Sequence, residues 1–273
     1  MSKKLVNFGA AAAMVMTAMV PAAPAFAHDR GYGDDGYSRD RGYGDGVSVS
    51  VQPDPKTLRV FRFDVNAVGA TTDYRYRGVS QSRLKPAVSA GVDYAAGAFY
   101  VGAWASSIKW VKDGGGDGNM ELDLYGGYKG ELAKDVGFDV GILAYVYPGN
   151  DLPTSANTTE LYGAITYGPA TLKYSHSVTN LFGFADSKSS WYLEVSATLN
   201  GPWGTSITPH AGHQRVQGLP AASYNDYSLT VSKDFNGLVP SLALVGTSTP
   251  NYLSPAGKDL GKSSLVLGVK YNF

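Results

Sequence analysis

The hydrophobicity of this chain alternates with a period of two along most of its length, and no other feature constrains its fold as strongly. Trp191, Leu193 and Val195, for example, alternate with Tyr192 and Glu194. Alternation of this kind over five or more residues indicates a β-strand with one apolar and one polar face. We count twelve such segments, at about 59–69, 85–94, 98–110, 120–128, 136–146, 159–167, 170–179, 191–199, 205–214, 225–233, 241–248 and 264–273. The chain is therefore predicted to be all-β.

The length of these segments distinguishes between two kinds of all-β protein. Several segments have about ten residues, whereas strands of soluble proteins usually have about 5–6 and tilted membrane-spanning strands about 9–11. Long and short connections alternate between them, as in bacterial outer-membrane barrels, which also have an even number of strands. We therefore predict an antiparallel transmembrane β-barrel of about twelve strands over residues 58–273. A soluble β-sandwich would explain the alternation, but it would require neither the strand lengths nor the alternating loops.

The average composition hides this pattern. Apolar residues make up 44% of the 273 residues and charged residues 17%, as in an ordinary soluble protein. A barrel gives similar averages, because residues that face lipid alternate with residues that face water. The 23 basic and 23 acidic residues cancel, which excludes the basic surface of a nucleic-acid-binding protein. The absence of cysteine excludes disulfides, a thiol nucleophile and cysteine-ligated metals, and we predict no cofactor and no metal site.

Residues 1–27 have the pattern of a secretory signal peptide. Lys3 and Lys4 precede an apolar run that ends near Val20, and a small-x-small cleavage motif ends at Ala27. Cleavage after Ala27 would leave 21 basic and 23 acidic residues, a net charge of −2. An uncleaved membrane anchor is the alternative. We predict that the segment is removed and that the mature chain is exported.

Residues 28–57 have a composition of their own. Gly, Asp, Arg and Tyr dominate up to residue 46, with an approximate RGYGD repeat that begins at Arg30 and again at Arg41. Such a segment buries too little apolar area to offset the entropy lost on ordering. We predict a disordered periplasmic tail, which is either a plain linker or a weak binder of an envelope polymer.

Aromatic residues lie near the ends of the predicted strands, where amphipathic Tyr and Trp form belts at the two membrane interfaces. The candidates for these belts are Tyr100, Trp110, Tyr128, Tyr147, Tyr167 and Trp203. The last strand ends with Tyr271 and the terminal Phe273. This ending fits the assembly signal that the envelope barrel-assembly machinery reads, so we predict that machinery and outer-membrane lipid as partners.

Charged residues fall on the polar face of the predicted strands and should therefore point into the barrel. The candidates for lining a pore are Arg62, Asp64, Arg75, Arg77, Asp93, Glu121, Asp123, Asp139, Glu160, Lys173 and Glu194. One interpretation is a basic wall formed by the arginines, opposite an acidic wall, whose transverse field would orient dipolar solutes. The alternative is that opposite charges pair across the lumen and brace the barrel, as buried charges usually do. Twelve strands predict a narrow or partly plugged pore.

Several blocks of the sequence resemble a known family in their order along the chain. The first is DYRYRGVSQS at 73–82, followed by ELDLYGGYKG at 121–130 and TELYG at 159–163. Together with shorter segments between them, they are similar to porins of the TorF type, the Gcw_chp family, strongly over 60–180 and more loosely to the end. The resemblance implies an outer-membrane barrel with a transport function and defines no substrate. The segment 28–46 is not part of the pattern.

These observations predict an outer-membrane channel for the passive diffusion of small hydrophilic solutes or ions, and not an enzyme. A non-conducting structural or adhesive barrel is the main alternative. A barrel hydrolase is a further one, but no catalytic residue is nominated, because the neighbours Ser175 and His176 lie on opposite faces of a strand. His210 and His213, three residues apart, would also lie on opposite faces, which does not favour a metal site.

Overall fold

The computed structural model describes the backbone of residues 62–273 and the side chains of residues 67–273. The predicted signal peptide (1–27), the predicted tail (28–57) and the first residues of the predicted barrel lie outside the described residues. One antiparallel sheet contains twelve main strands: β1 (Arg62–Thr71), β2 (Ala87–Ala96), β3 (Phe99–Ser107), β4 (Met120–Ala133), β5 (Val136–Val146), β6 (Thr158–Tyr167), β7 (Ala170–Ser177), β8 (Trp191–Ala197), β9 (Ser206–Arg215), β10 (Tyr224–Ser232), β11 (Leu238–Thr247) and β12 (Ser264–Asn272). A two-residue strand, Leu199–Asn200, extends the pairing of β9.

The sheet closes on itself. Each main strand pairs with its neighbours in the sequence, β8 pairs with β9, and the first strand pairs with the last, with Val68 opposite Tyr271 and Thr71 opposite Gly268. A closed sheet leaves no unpaired strand edge, which is a requirement in hydrocarbon because an unpaired backbone group there costs several kcal/mol. The predicted twelve-stranded antiparallel β-barrel is confirmed.

The connections sort onto the two ends of the barrel by length. At one end, which we call the short-turn end, the strands are joined by 97–98, 134–135, 168–169, 198–205 and 233–237. At the other, the long-loop end, they are joined by 72–86, 108–119, 147–157, 178–190, 216–223 and 248–263. The only α-helix among the described residues is the single turn Trp110–Asp113 in one of these loops. No helix in residues 62–273 has the length and apolar character needed to cross a membrane.

The outer and inner faces of the barrel have opposite polarity. On β6, Leu161 and Ile165 are about half exposed on the outside, whereas the side chain of Glu160, which directly precedes Leu161, is buried inside. The same alternation of exposed Val, Leu and Ile recurs on the other strands. An apolar belt of this extent would promote aggregation in water and is suited to lipid. The fold is that of a transmembrane barrel.

The predicted aromatic belts are only partly present. Tyr128, Tyr167 and Trp203 are exposed on the outside near the short-turn end. Tyr100, by contrast, faces inward and donates a hydrogen bond to Asp139. Trp110 and Tyr147 are buried within the long-loop end, where their rings contact each other edge to face at 5.0 Å. These three assignments were wrong because closeness to a strand end does not specify which side of the wall a ring occupies.

The hydrophobic core lies inside the barrel, at the long-loop end. The long loops fold inward, so that their apolar side chains fill the mouth instead of extending into solvent. The buried loop residues are Tyr74, Tyr76, Val79, Ile108, Trp110, Val111, Tyr147, Ala156, Leu181, Phe182, Val216, Ala222, Tyr252 and Leu260. The loop after β1, residues 72–86, contacts the inner wall through Arg77 and Gly78, and we call it the plug loop.

Candidate functional site in the barrel lumen

The plug loop contains a small β-hairpin. Its two-residue strands are Arg75–Tyr76 and Val79–Ser80, and they pair in antiparallel fashion. The turn between them is formed by Arg77 and Gly78, with φ of +42° and +81°. Positive φ at both central residues is the pattern of a type I′ turn, whose twist suits a two-residue hairpin. Arg77, at the tip of the hairpin, therefore has a backbone conformation that non-glycine residues rarely adopt. Such conformations occur more often at functional sites than elsewhere.

Gly78 brings the tip of the hairpin into close contact with the barrel wall. A Cβ atom at this position would lie 2.6 Å from Cγ2 of Thr247 and 2.8 Å from Cβ of Asp226. These neighbours belong to β11 and β10. No side chain larger than hydrogen fits here unless the hairpin or the wall moves, and the positive φ adds a second restriction.

Arg77 extends from this turn into the lumen and is 3% exposed. Its Nη2 donates to both carboxylate oxygens of Glu160 at 3.0 and 3.2 Å, and its Nη1 donates to Oε1 of Gln214. The guanidinium carbon lies 3.9 Å from the centre of the Tyr192 ring, a cation–π contact. Burial by itself would lower the pKa of Arg77, but the combined electrostatic effect of Glu160 and the nearby tyrosines outweighs burial and the pKa is raised. The guanidinium therefore stays charged and is paired.

Three further carboxylates are buried close to the plug loop. Oε1 of Glu121 accepts a hydrogen bond from Tyr74 at 3.2 Å, and Asp226 accepts from the hydroxyl of Tyr192 at 2.9 and 3.1 Å. Oε2 of Glu121 and Oδ1 of Asp123 have no hydrogen-bond partner among the described residues. The ion pair that joins the plug loop to the wall is that of Arg77 with Glu160. The buried lumen at this end is thus rich in acidic groups.

A histidine lies on the same inner surface. Nε2 of His210 is 3.3 Å from Glu194 and 3.2 Å from the hydroxyl of Tyr192, and Nδ1 is 3.7 Å from Asp226. His213 lies on the outer face and contacts Asn225, so the two histidines are on opposite sides of β9 as expected. Asp226 was not among the predicted lumen residues. The alternation of 225–233 places it on the inner face and could have identified it.

The lumen nearer the short-turn end is lined by tyrosines and charged residues. Tyr125 donates to Asp93, and Lys173 Nζ lies 4.6 Å from the centre of the Tyr162 ring. Each tyrosine lies flat against a glycine that is its direct cross-strand partner, Tyr125 against Gly102 and Tyr162 against Gly141. A Cβ at either glycine would overlap the ring, so these glycines keep the tyrosines close to the wall.

The arginines do not form the basic wall considered above. Arg75 pairs with Asp73 within its own loop and donates to the carbonyl oxygen of Leu260 at 2.9 Å. Arg77 pairs with Glu160 instead of facing an opposite wall. Pairing of opposite charges, the alternative interpretation, therefore describes Arg75 and Arg77.

The remaining predicted residues are placed as follows. Arg62 and Asp64 lie on β1 opposite Ala95 and Asp93 in register, and their side chains are outside the described residues. Tyr271 and the terminal Phe273 are exposed, with their ring centres 5.1 Å apart. Their role as an assembly signal stays a prediction, as does the lining of a pore by the residues named above.

Fold and lumen together define a transmembrane β-barrel whose mouth is filled by its own loops. The chain belongs to the Gcw_chp family, described as bacterial proteins of unknown function, whose model matches residues 60–273. The TorF part of the resemblance stays a prediction. No curated protein sequence matches the chain.

Solved structures with a similar fold include two of the KdgM porin. One matches with a TM-score of 0.52 at 8% identity, and the other, in complex with disordered oligogalacturonate, with a TM-score of 0.51 at 7% identity. Both comparisons cover 76% of this chain and 99% of the other. At these identities the likeness concerns the fold: a barrel of the same general form.

Proposed function

We propose that the protein is a porin-like channel of the bacterial outer membrane for the passive diffusion of small hydrophilic solutes or ions. The observation that carries this proposal is that the closed β-sheet has an apolar outer face and a polar inner face. Lipid requires the apolar outside, but a purely structural barrel would not require charged and tyrosine side chains along the inside. Membership in the family and the likeness of the fold to a porin support the proposal at the same general level.

The proposed orientation follows the lengths of the connections. Short turns would face the periplasm and long loops the outside, as is usual in bacterial barrels. The chain would reach the outer membrane after removal of residues 1–27, with residues 28–57 as a periplasmic tail. Tyr271 and Phe273 would be read by the barrel-assembly machinery during insertion.

The filled mouth imposes a condition on this function. Because the plug loop and its neighbours occupy the long-loop end with buried side chains, solutes pass only when the plug loop moves. The same observation favours the second candidate, a non-conducting structural barrel, if the plug loop never leaves.

Planar-bilayer recording of the purified, folded protein distinguishes the two candidates. We expect discrete conductance steps. Because the chain contains no cysteine, one introduced thiol at a time can show whether the current passes through the lumen. Thr171→Cys places a thiol on the inner face of β7, and Leu172→Cys places one on the outer face. A bulky thiol reagent should reduce the current of the first variant and leave the second unchanged. A silent bilayer, with folding verified by heat-modifiable gel mobility, would favour the structural barrel.

A further inference from the structure

We propose that Glu160, Tyr192 and Gln214 form a binding site for a guanidinium or ammonium group, which Arg77 of the same chain occupies in this structure. A solute that carries such a group would compete with Arg77 and release the plug loop. The existence of the site is independent of conduction, whereas the solute class rests on the proposed channel function.

The three residues belong to the barrel wall and not to the plug loop. Glu160 lies on β6, Tyr192 on β8 and Gln214 on β9, and Gln214 is the direct cross-strand partner of Tyr192. The strand ladders hold these positions whether or not the plug loop is present. The site therefore remains on the wall when Arg77 leaves.

Other contacts hold each of the three side chains in its binding orientation. The amide nitrogen of Gln214 donates to the carbonyl oxygens of Trp191 and Arg215, both at 3.1 Å, which turns its oxygen toward the guanidinium. Tyr145 donates to Oε2 of Glu160 at 3.3 Å. The hydroxyl of Tyr192 is held by Asp226, which fixes the ring that faces Arg77. A preorganised site binds its ligand without the cost of ordering these side chains.

The contacts recognise the end group of Arg77 more than its chain. The two terminal nitrogens bind Glu160 and Gln214, and the planar face lies over Tyr192. Nε, where the group joins the side chain, has no hydrogen-bond partner among the described residues. A carboxylate, an amide oxygen and an aromatic face are the groups that bind guanidinium and, less specifically, ammonium. A free cation of this class presents the same surface as Arg77.

When Arg77 leaves the site, the negative charge of Glu160 favours the binding of another cation in its place. Without Arg77, Glu160 would be an unpaired carboxylate in a buried region that already contains Glu121, Asp123 and Asp226. An uncompensated buried charge is strongly unfavourable. A cationic solute removes this penalty, whereas a neutral or anionic solute does not. Guanidinium-bearing and amine-bearing solutes are therefore the class that this site selects.

Calorimetric titration of the detergent-solubilised protein with methylguanidinium tests the site directly. We expect Arg77→Ala, whose site is vacated, to bind methylguanidinium at least about tenfold more tightly than the wild type does, since a hydrogen bond to a charged group has about this effect. Adding Glu160→Gln to Arg77→Ala should abolish that gain. Urea, which has the planar shape without the charge, should bind none of the variants.

Matched variants separate loss of the site from loss of the fold. Arg83→Ala removes a partly exposed arginine of the same loop that pairs with Asp113 of the next long loop and not with Glu160, and it should bind methylguanidinium as the wild type does. Each variant is checked by heat-modifiable mobility, and Arg77→Gln replaces Arg77→Ala if the latter does not fold. If a folded Arg77 variant binds methylguanidinium no better than its partner with Glu160→Gln, the proposal is overturned.

A bilayer recording of the same variants distinguishes this proposal from the channel function. Methylguanidinium should reduce the potassium chloride current of Arg77→Ala and not that of the double variant. Binding without any current in any variant would support the site and contradict the channel. Current without binding would support the channel and overturn the site.

Discussion

Arg77 carries a full charge into a space that is almost closed to water, and its environment explains why this is possible. The carboxylate of Glu160 supplies the opposite charge, and Gln214 and Tyr192 contact the rest of the group. Single residues were nonetheless hard to assign from the sequence. Alternation placed Glu160 on an inner face correctly, but nothing in the sequence indicated that its partner is an arginine in a loop 83 residues earlier.

At this scale we predict different outcomes for two buried glutamates. Glu160→Gln leaves Arg77 as an uncompensated buried charge and should lower the free energy of unfolding by about 3–5 kcal/mol. Glu121→Gln removes a buried carboxyl group that has no ion-pair partner among the described residues, while Tyr74 can still donate to the amide oxygen. This variant should be neutral or stabilising. Urea titration in lipid vesicles, followed by gel mobility, measures both, and equal destabilisation would contradict the prediction.

Among the elements, the strands were predictable and the plug loop was not. The period of two depends only on which face of a strand a residue occupies, so it locates β1 to β12 to within a few residues. It carries no information about where a loop goes once it leaves the wall. The block at 73–82 resembles the family sequence, and alternation predicts that its two arginines line the lumen. The Arg77–Gly78 turn also lacks Asn-Gly, the usual sequence signal of this hairpin.

The hairpin leads to a prediction about Gly78. Gly78→Ala adds a Cβ that collides with β10 and β11, so the hairpin should withdraw, and the barrel should lose about 1–3 kcal/mol of stability and conduct better. Gly257→Ala is the matched control, because Gly257 also has positive φ but nothing within 4 Å of the added atom. Unfolding free energies and single-channel conductance of the two variants give the comparison. The same loss in both variants would mean that backbone strain, and not the collision, is responsible.

The molecule as a whole has an acidic interior, although the chain is neutral. Inward carboxylates of the described residues outnumber the inward cations, and Arg77, one of those cations, leaves with the plug loop. The described acidic residues on the inner face are Asp93, Glu121, Asp123, Glu131, Asp139, Glu160, Glu194 and Asp226, and the basic ones are Arg77, Lys129, Lys173 and Lys270. The pore-lining residues predicted from the sequence include Arg75, which pairs within its own loop, and omit Asp226.

We therefore predict that the open channel prefers cations. In a potassium chloride gradient the reversal potential should shift toward the value for potassium, because a lumen with excess carboxylates concentrates cations. Asp226→Asn should weaken the preference. Asp186→Asn, in an exposed part of a long loop, should not change it. A reversal potential on the chloride side would contradict the prediction.

The long sequence separation of the plug-loop contacts has a consequence for the order in which the molecule is built. The plug loop follows β1 directly, but its contacts with Glu160 and Gln214 span 83 and 137 residues. The surface that receives it does not exist until the later strands have paired, so the wall must form before the interior. Fluorescence of Trp110 in the interior should accordingly change after the gel-mobility shift that marks the closed wall, and a simultaneous change would contradict this order. In a soluble domain, burial of an apolar core drives folding from the start. In this barrel the lipid-facing wall forms first, and the core at the long-loop end packs last.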